Sequence, residues 1–494
     1  MKVTIRADAS GTVGTGHAMR MLALGEGLVA RGHRAELLTL HLPPSLERRF
    51  EAARVEVIKA SAAIGGEDDE RFTRRRIVDR ASDWLVLDGY QFPAGYLRSV
   101  RSSAHALIVD DMGTAPADSD LVLDQNLSAP RRDAEDRYRP RHLLGPRYAL
   151  LRPMYSGFRG RPRSDHGGPP RILVTMGGAD PMDATSLVLR GLAELGRDRV
   201  TVRVIVGVSH PAKEAVSHLV SAHGYELMSD VPDLAADIAW SDLVIGAAGT
   251  SALEFACVGR PLVALVLADN QMTVARCVQG LGLGVVAGVV PDVLPSDVAR
   301  AVDGLLSDPA RMRDMGRRGP STVDGLGATR VVRAMETVGL TLRAATDADA
   351  TVLWRWANDA ESRAASVGSE PIALERHVAW LADRSADPGS SIYIAEWPVG
   401  SAIGTVRFEG PDSEVTVSIN LGPDVRGRGL GSRILELGLE RVATERPVQR
   451  FRAVIRLDNI PSLEIFRAAG FGQDAGPPAD GLVTYHLESP WLAG

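Results

Sequence analysis

The feature that most constrains this chain is a repeated alternation of short, largely apolar runs with amphipathic helical stretches. The apolar runs lie at 2–7, 35–40, 55–60, 84–88, 105–110, 171–176, 201–207, 242–247 and 261–267. Runs of this kind are typical of parallel strands that helices cover on both faces. The pattern therefore predicts an α/β fold with two doubly wound lobes, whose ligands bind in a cleft at the carboxyl ends of the strands.

Length and local composition predict where the domains begin and end. A chain of 494 residues is too long for one hydrophobic core. A stretch dense in Gly, Pro and Arg at 156–170 is typical of a linker or crossover. Near residue 340 a tryptophan-containing segment precedes a strand meander. We predict a first lobe over 1–155, the linker, a second lobe over 171–338 and an α+β domain over 341–494.

Charge and cysteine content exclude several classes of protein. The chain has 56 basic and 62 acidic side chains, a net charge of −6, which argues against a dedicated nucleic-acid binder. Cys257 and Cys277 alone form neither a disulfide framework nor a zinc site. Lys2 and Arg6 interrupt the first apolar run, as no signal peptide would, and the run at 261–268 is too short to cross a bilayer. We expect a cytoplasmic protein without membrane or nucleic-acid partners; the oligomeric state stays open.

The most specific motif of the last domain is a glycine-rich turn at 426–432, RGRGLGS, between a strand and a helix. Glycines let the backbone approach a pyrophosphate, and the helix dipole favours its charge. Downstream, Asn459 opens a helix that ends in Gly-Phe at 470–471. Because the two motifs occur together and in this order, a purely structural role for the glycine-rich turn does not explain them.

This pair of motifs resembles the GCN5-related N-acetyltransferase (GNAT) family over roughly 341–490. The resemblance implies that acetyl-CoA is a co-substrate, held by the glycine-rich loop and near Asn459. The implied acetyl-CoA-binding residues are Arg426, Gly427, Arg428, Gly429, Leu430, Gly431, Ser432 and Asn459.

One position departs from the family pattern. Many members place a general-acid tyrosine where this chain has Phe466, and phenylalanine cannot donate a proton. Tyr485 and Tyr393 are alternative candidates for the acid, and Glu414 is a candidate for a base acting through water. We interpret His377 as a residue that orders its helix. Either the acid lies elsewhere, or the domain is slow or inactive as an acetyltransferase.

The second lobe contains three turns that suit a nucleotide. Two of them, at 177–178 and 249–250, are rich in glycine and let phosphate approach the backbone. The third, at 270–271, follows the apolar run at 261–267. Thr250 and Glu254, four residues apart on one helix, share a face, so Thr250 can reach a phosphate and Glu254 a ribose hydroxyl. These turns resemble the donor-binding half of GT-B enzymes that use UDP-sugars, such as the peptidoglycan GlcNAc transferase. The implied UDP-binding residues are Gly177, Gly178, Gly249, Thr250, Glu254, Asn270 and Gln271.

The opening loop, GTVGTGHAMR at 11–20, presents a histidine at the start of a helix. With the later motifs DGY (88–90), DD (110–111) and DQN (124–126), it resembles a hydrolase family of pseudaminic acid biosynthesis over about 1–338. That family acts on UDP-2,4-diacetamido-2,4,6-trideoxy-β-L-altropyranose and has two Rossmann-like, GT-B-like lobes. The resemblance implies that His17 is catalytic and activates water. It also implies substrate contacts from Gly14, Gly16 and Arg20.

Elementary electrostatics agrees with a basic His17. The dipole of a helix disfavours a cation at its N-terminus, so the imidazole stays neutral and able to accept a proton near pH 7. A dinucleotide-binding loop is a poorer interpretation, because the Gly14-x-Gly16 pattern lacks a third glycine. The Asp118-Ser119-Asp120 segment is a loop rather than a metal-binding motif. We therefore expect a mechanism without a metal.

Together these motifs predict a bifunctional enzyme of pseudaminic (nonulosonic) acid biosynthesis. The GNAT domain would N-acetylate a UDP-4-amino-sugar with acetyl-CoA, and the two lobes would hydrolyse the UDP-2,4-diacetamido-2,4,6-trideoxy-hexose to UDP and free sugar. Two alternatives stay open. One is a GT-B glycosyltransferase with a UDP-sugar donor, and the other is a sugar-nucleotide-binding module with a degenerate, acetyl-CoA-sensing domain. The stereochemistry of the sugar is also open.

Overall fold

A computed structural model describes most of the chain, in two compact units that meet in sequence at Met335 and Glu336. The described residues are 1–9, 15–93, 95–102, 104–111, 113, 119–129, 141–161, 167–178, 180–196, 198–207, 210–229, 231, 233–366, 370–397, 400–474 and 481–488. Unit 1 contains two parallel sheets, and unit 2 contains one mixed sheet.

The first lobe of unit 1 is a parallel sheet with the strand order β3-β2-β1-β4-β5-β6-β7. Its strands are β1 (Lys2–Ala7), β2 (Arg34–Thr39), β3 (Glu56–Lys59), β4 (Trp84–Asp88), β5 (His105–Val109), β6 (Leu121–Asp124) and β7 (Arg141–Leu144). Its helices are α1 (Gly16–Ala30), α2 (Pro44–Ala52), α3 (Glu67–Arg80) and α4 (Tyr96–Val100). The strand order reverses between β1 and β4, which makes the carboxyl ends of these two strands the expected ligand site.

The second lobe repeats this plan with the strand order β10-β9-β8-β11-β12-β13, again parallel throughout. Its strands are β8 (Arg171–Thr175), β9 (Thr201–Val206), β10 (Glu226–Ser229), β11 (Leu243–Ala247), β12 (Leu262–Val266) and β13 (Gly284–Val289). The helices, which include α5 between the two sheets, are α5 (Pro153–Phe158), α6 (Ala184–Glu194), α7 (Lys213–His223), α8 (Ala235–Trp240), α9 (Ser251–Val258), α10 (Met272–Gly280), α11 (Pro295–Leu306), α12 (Pro309–Thr322) and α13 (Gly327–Glu336). Here the order reverses between β8 and β11.

Strand β12 shows why many strands of unit 1 appear in the sequence as continuous apolar runs. Leu262, Ala264 and Val266 pack into one core cluster, whereas Val263 and Leu265 pack into another on the opposite face. All five side chains are at most 2% exposed. A strand buried on both faces leaves no position for a polar side chain, so the alternation of a half-exposed strand is absent.

Unit 2 is an α+β domain whose sheet has the order β14-β15-β16-β17-β18-β20-β19. Its strands are β14 (Thr341–Ala344), β15 (Ser390–Glu396), β16 (Ala402–Glu409), β17 (Val415–Leu421), β18 (Arg450–Arg456), β19 (Gly472–Gln473) and β20 (Leu482–Glu488). Its helices are α14 (Ala350–Ala357), α15 (Ala360–Ala365), α16 (Leu374–Ala386), α17 (Leu430–Glu445) and α18 (Ile460–Ala468). Among the described strands of unit 2, only β17 and β18 pair in parallel.

The parallel pair in unit 2 is short. Strands β17 and β18 are in register only at Val415 with Phe451 and at Thr416 with Arg452. Beyond these pairs the two strands part, so the backbone of β17 from residue 417 onward has no partner strand on that side among the described residues. The opening leaves unpaired main-chain groups available for a ligand that lies between the strands.

The predicted architecture of two Rossmann-like lobes followed by an α+β domain is confirmed. The predicted linker at 156–170 needs correction, because its first three residues belong to α5 (Pro153–Phe158). Pro153 favours the start of this helix, since proline is well suited to the first helical turn. Residues 162–166 of that linker lie outside the described part of the chain. Among the described helices, none is both long enough and apolar enough to cross a membrane.

Candidate functional site

His17 meets a carboxylate where the strand order of the first lobe reverses. It lies in the first turn of α1 and is 8% exposed. Its Nδ1 is 2.7 Å from Oδ1 of Asp88, the last residue of β4. Because β1 and β4 are neighbours in the sheet, the helix that follows β1 begins beside the end of β4. No described residue hydrogen-bonds Nε2 of His17, which leaves this nitrogen for chemistry.

Arg20 fixes the carboxylate that faces His17. Its Nε lies 2.6 Å from Oδ2 of Asp88 and its Nη2 lies 2.5 Å from Oδ1. Burial alone would raise the pKa of Asp88, but the Arg20 charge and the hydrogen bonds from Arg20 and His17 lower it. Asp88 therefore stays ionised. Nη2 of Arg20 also lies 2.9 Å from Nδ1 of His17, but the ionised carboxylate at 2.7 Å favours the tautomer that carries its proton on Nδ1 and leaves Nε2 as the basic nitrogen. For Arg20, predicted to contact substrate, this geometry favours a positioning role.

A polar wall lies beside His17. The exposed ring of Tyr90 stands edge-on to the imidazole, with 5.0 Å between ring centroids. The Tyr90 hydroxyl donates to Oδ2 of Asp111 at 2.7 Å, and Nδ2 of Asn126 donates to the same oxygen at 3.3 Å. The other oxygen of Asp111 is buried and has no hydrogen-bond partner among the described residues. Tyr90, Asp111 and Asn126 belong to the DGY, DD and DQN motifs and follow three adjacent strands, β4, β5 and β6, which brings them together beside His17.

Within unit 1 the histidine loop meets the predicted nucleotide turns of the second lobe. A Cβ atom added to Gly178 would lie 3.1 Å from Oγ1 of Thr15, and one added to Gly16 would lie 3.5 Å from Oγ1 of Thr250. Residues predicted separately in the two lobes therefore line one cleft, next to His17. Gly14 lies outside the described residues.

The other predicted nucleotide residues gather on the same side of the second lobe. Gly249 and Thr250 directly precede α9, whose first backbone N–H groups suit a phosphate. A Cβ atom added to Gly249 would lie 3.9 Å from Nε2 of Gln271, whose Oε1 accepts the backbone N–H of Leu267 at 2.9 Å. Asn270 is exposed in the turn after β12, and Gly177 is exposed after β8.

Glu254 occupies an unusual environment for a carboxyl group. Burial raises its pKa to about 7, although a hydrogen bond from the Tyr155 hydroxyl and the Arg152 charge act in the opposite direction. Arg152 in turn pairs with Glu26 of α1, with Nη2 2.7 Å from Oε1. This chain of contacts links the predicted ribose-binding carboxylate to the helix that carries His17.

Asp180, Asp183 and His210 form a cluster that sequence analysis missed, with their ligand atoms within 4.8 Å of one another. Their hydrogen bonds argue against a metal. Nδ1 of His210 accepts the backbone N–H of Ala212 at 3.1 Å, so Nε2 carries the proton and donates to Asp180 at 3.1 Å. Asp180 also accepts three hydrogen bonds from the start of α6. The cluster braces the turn that contains Gly177 and Gly178.

The glycine-rich loop of unit 2 has the backbone that an anion site needs. Gly427 and Gly429 adopt left-handed conformations, with φ of +73° and +78°, and Gly429 directly precedes α17. Leu430 is 2% exposed and anchors the helix in the core. A Cβ atom at Gly431 would lie 2.6 Å from Cδ1 of Ile465, so this glycine lets α17 and α18 approach closely. Ser432 lies in the first turn of α17.

The two arginines of this loop differ in their environments. Nη1 of Arg426 is 2.6 Å from Asp359 and 2.8 Å from Glu361, and its Nε donates to the carbonyl of Leu421 at 3.2 Å. It therefore ties α15 to the end of β17, a positioning role. Arg428 is exposed and has no ion-pair partner among the described residues. Arg428 is thus the cation that this loop presents to solvent.

Asn459 caps α18, because its side-chain oxygen accepts the backbone N–H of Ser462 at 3.2 Å. Phe466 is 3% exposed and packs edge-on against Phe471, with 5.0 Å between ring centroids. Phe466, at the position where many family members have the general-acid tyrosine, therefore packs in the core.

Neither alternative tyrosine presents a proton to solvent. The hydroxyl of Tyr393 donates to Glu445, and burial raises the pKa of this tyrosine to about 12. The hydroxyl of Tyr485 donates to Gln473 at 3.1 Å and accepts from Arg467 at 2.9 Å. An oxygen of Glu414 lies 3.3 Å from Nε2 of His486, and both side chains are partly exposed. The geometry thus gives none of the three the surroundings of the predicted acid or base.

Two parts of the chain match models of known families. Residues 171–318 match the glycosyltransferase family 28 C-terminal domain, and residues 339–472 match the acetyltransferase (GNAT) domain. The spore coat polysaccharide biosynthesis protein SpsG of Bacillus subtilis (strain 168) is 27% identical over 346 residues, which cover 68% of this chain and 98% of that protein.

A second similarity is confined to part of the chain. The UDP-N-acetylglucosamine--N-acetylmuramyl-(pentapeptide) pyrophosphoryl-undecaprenol N-acetylglucosamine transferase of Xanthomonas campestris pv. campestris (strain 8004) is 32% identical over 150 residues. This match covers 29% of the chain and only 35% of that enzyme's length. A glycosyltransferase structure from Rickettsia africae ESF-5 has a TM-score of 0.50 at 10% identity, covering 68% of this chain and 98% of that one. The last likeness is one of fold. The chain thus joins a GT-B-like, SpsG-like glycosyltransferase-type module to a C-terminal GNAT acetyltransferase domain.

Proposed function

We propose that this chain is a bifunctional sugar-nucleotide enzyme of nonulosonic acid biosynthesis. Unit 2 N-acetylates a UDP-4-amino-sugar, and unit 1 hydrolyses the resulting UDP-2,4-diacetamido-2,4,6-trideoxy-hexose to UDP and free sugar. The observation that supports the hydrolase most is the contact of His17 with Asp88, beside a cleft whose other wall carries Gly178 and Thr250. A basic nitrogen there faces the place where a nucleotide-linked sugar would lie.

In this mechanism the second lobe binds UDP. The turns at Gly178 and Gly249 cradle the diphosphate, and Glu254 accepts hydrogen bonds from the ribose. Nε2 of His17 takes a proton from water as the water oxygen bonds to the anomeric carbon. The bond from that carbon to the phosphate oxygen breaks, and UDP leaves as an anion. Asp88 stabilises the imidazolium that forms, as carboxylates do beside catalytic histidines.

The acetyltransferase step uses the opening between β17 and β18. Acetyl-CoA supplies the acetyl group as a thioester, and the acceptor nitrogen displaces CoA from the carbonyl carbon. The backbone of the loop around Gly427 and Gly429 binds the pyrophosphate, with Arg428 as the exposed cation. The unpaired backbone of β17 orients the arm that carries the thioester.

A GT-B glycosyltransferase is the second candidate for unit 1, favoured by the match to the family 28 C-terminal domain. The two candidates differ in what accepts the sugar, because a hydrolase needs only water. NMR of the full chain with the UDP-4-amino-sugar, with and without acetyl-CoA, distinguishes them. We expect acetylation first and then UDP release with free sugar. Release that begins only when an acceptor alcohol is added would favour the transferase, and binding of both ligands without turnover would favour a sensing module.

A further inference from the structure

One face of the unit 2 sheet carries a guanidinium that lacks a carboxylate partner. Nε of Arg407, in β16, donates to Oγ of Ser418 in β17 at 2.9 Å. The guanidinium lies over the ring of Trp380 in α16, 5.1 Å from its centroid. Neither terminal nitrogen of Arg407 bonds to any described residue, and among those residues no carboxylate lies within ion-pair distance. The nearby Glu409 pairs with Arg384 at 3.2 Å instead.

This environment sets Arg407 apart from other arginines of the same unit. Several of those arginines have carboxylate partners, namely Arg343, Arg384, Arg426, Arg441 and Arg446. Burial lowers the pKa of Arg407, with Arg384 acting in the same direction and Glu409 against it. Arg407 is partly buried, and a charge that is withdrawn from water without a counter-ion destabilises a fold. Beside it, His377 is 6% exposed, and its buried Nε2 has no hydrogen-bond partner in the part of the chain that the structure describes. Both groups suit an anionic or polar ligand.

The position of Arg407 points to the acceptor rather than to acetyl-CoA. Ser418 lies in the part of β17 that has already separated from β18, where the thioester would lie. Val415 and Val417 face the core under α17, so Ser418 and its neighbour Arg407 face the opposite side of the sheet. The glycine-rich loop leads into α17 and therefore belongs to the other side of the sheet. Arg407 is therefore next to the thioester site but on the side from which an amine would approach.

We propose that Arg407 binds a phosphoryl group of the acceptor, with its two open terminal nitrogens as donors. Paired guanidinium donors match the geometry of phosphate oxygens. The proposal rests on the proposed acetylation of an amino-sugar and narrows it to amines that carry a phosphoryl group near the nitrogen. It also orders the reactions, because acetylation must precede any cleavage that separates phosphate from sugar. A free 4-amino-sugar, which lacks the phosphoryl group, is then a poor substrate for unit 2.

The test uses the full chain and initial rates of CoA release with three acceptors: the UDP-4-amino-sugar, its sugar 1-phosphate and the free amino-sugar. We expect both phosphorylated acceptors to have the higher kcat/KM. Arg407→Gln should raise their KM about 10- to 100-fold, the range for a hydrogen bond to a charged group. The KM for acetyl-CoA and the rate with free amino-sugar should stay within about twofold, and Arg407→Lys should restore part of the loss.

Arg384→Gln is the matched control, because Arg384 is on the same side of the sheet but is paired with Glu409. Equal use of the free sugar by the wild type, or an equal loss on all three acceptors in Arg407→Gln, would overturn this inference alone. If the wild type acetylates none of the sugars, the proposed acetylation itself fails, and the inference with it.

Discussion

At the scale of single residues, Asp88 determines which nitrogen of His17 can accept a proton. The carboxylate holds the proton on Nδ1, so the lone pair is on Nε2. Asp88→Asn keeps the shape but offers an amide that favours the opposite tautomer. We expect UDP release to fall about 10²- to 10⁴-fold, the range for a mispositioned general base, while UDP affinity changes less than about twofold. Single-turnover kinetics and calorimetry measure the two quantities.

The matched control is Asp83→Asn, because Asp83 is exposed and directly precedes β4, the strand that ends in Asp88. Among the described residues, its carboxylate accepts a hydrogen bond only from the backbone N–H of Lys2. This variant should release UDP at the wild-type rate. Wild-type turnover in Asp88→Asn would show that His17 needs no carboxylate, which would remove the main support for the hydrolase.

Glu254 links stability to pH. Burial raises its pKa from an ordinary value of 4.5 to about 7 in the folded chain. An acid whose pKa is higher in the folded state opposes folding once it ionises, so the penalty is absent below pH 4.5 and complete above about 7. Glu254→Gln should therefore raise Tm more at pH 8 than at pH 5, while UDP binding weakens because an anionic acceptor is lost. Thermal melts of the wild type and Glu254→Gln between pH 5 and pH 8 measure this difference. A change in Tm that is the same at both pH values would contradict the prediction.

At the scale of elements, burial determines what the sequence could reveal. Strands buried on both faces, such as β11 and β12, were predicted because they contain no polar side chain. The short strands β6, β7 and β10 were missed, since four residues are too few to show a clear periodicity, and β7 and β10 also have mixed polarity. The partnership of His17 with Asp88 was also missed. It depends on β4 lying beside β1, and no local periodicity reports the order of strands across 71 residues.

Helix packing in the second lobe gives a prediction that opposes helix propensity. Gly191 in α6 would place an added Cβ atom 2.4 Å from the carbonyl oxygen of Pro295 in α11. Gly191→Ala should therefore destabilise this unit by about 1–3 kcal/mol, the cost of overpacking. Gly304→Ala in α11 has nothing within 4 Å and should stabilise it by about 1 kcal/mol, as expected from propensity. Denaturation followed by circular dichroism compares them, and equal shifts of the same sign would show that the packing is not rigid.

At the scale of the whole molecule, the two compact units predict two separable activities. Each unit has its own hydrophobic core, and each candidate site is built from residues of one unit. The nucleotide turns and His17 are in unit 1, whereas the glycine-rich loop and Arg407 are in unit 2. An enzyme arranged in this way can lose one step by a point substitution and keep the other. Supplying the intermediate directly then bypasses the lost step.

Gly427→Val tests this separation. A left-handed backbone with a φ of +73° disfavours valine, so the substitution should distort the loop and lower acetylation by at least about tenfold. Gly400→Val is the matched control, because Gly400 also has a positive φ, +87°, and open space around it, but lies in the turn before β16. We expect both variants to release UDP from the pre-acetylated UDP-2,4-diacetamido-sugar at the wild-type rate, measured by coupled assay. A loss of this activity in Gly427→Val but not in Gly400→Val would show that the acetyl-CoA loop also serves the hydrolase, and the activities would not be separable.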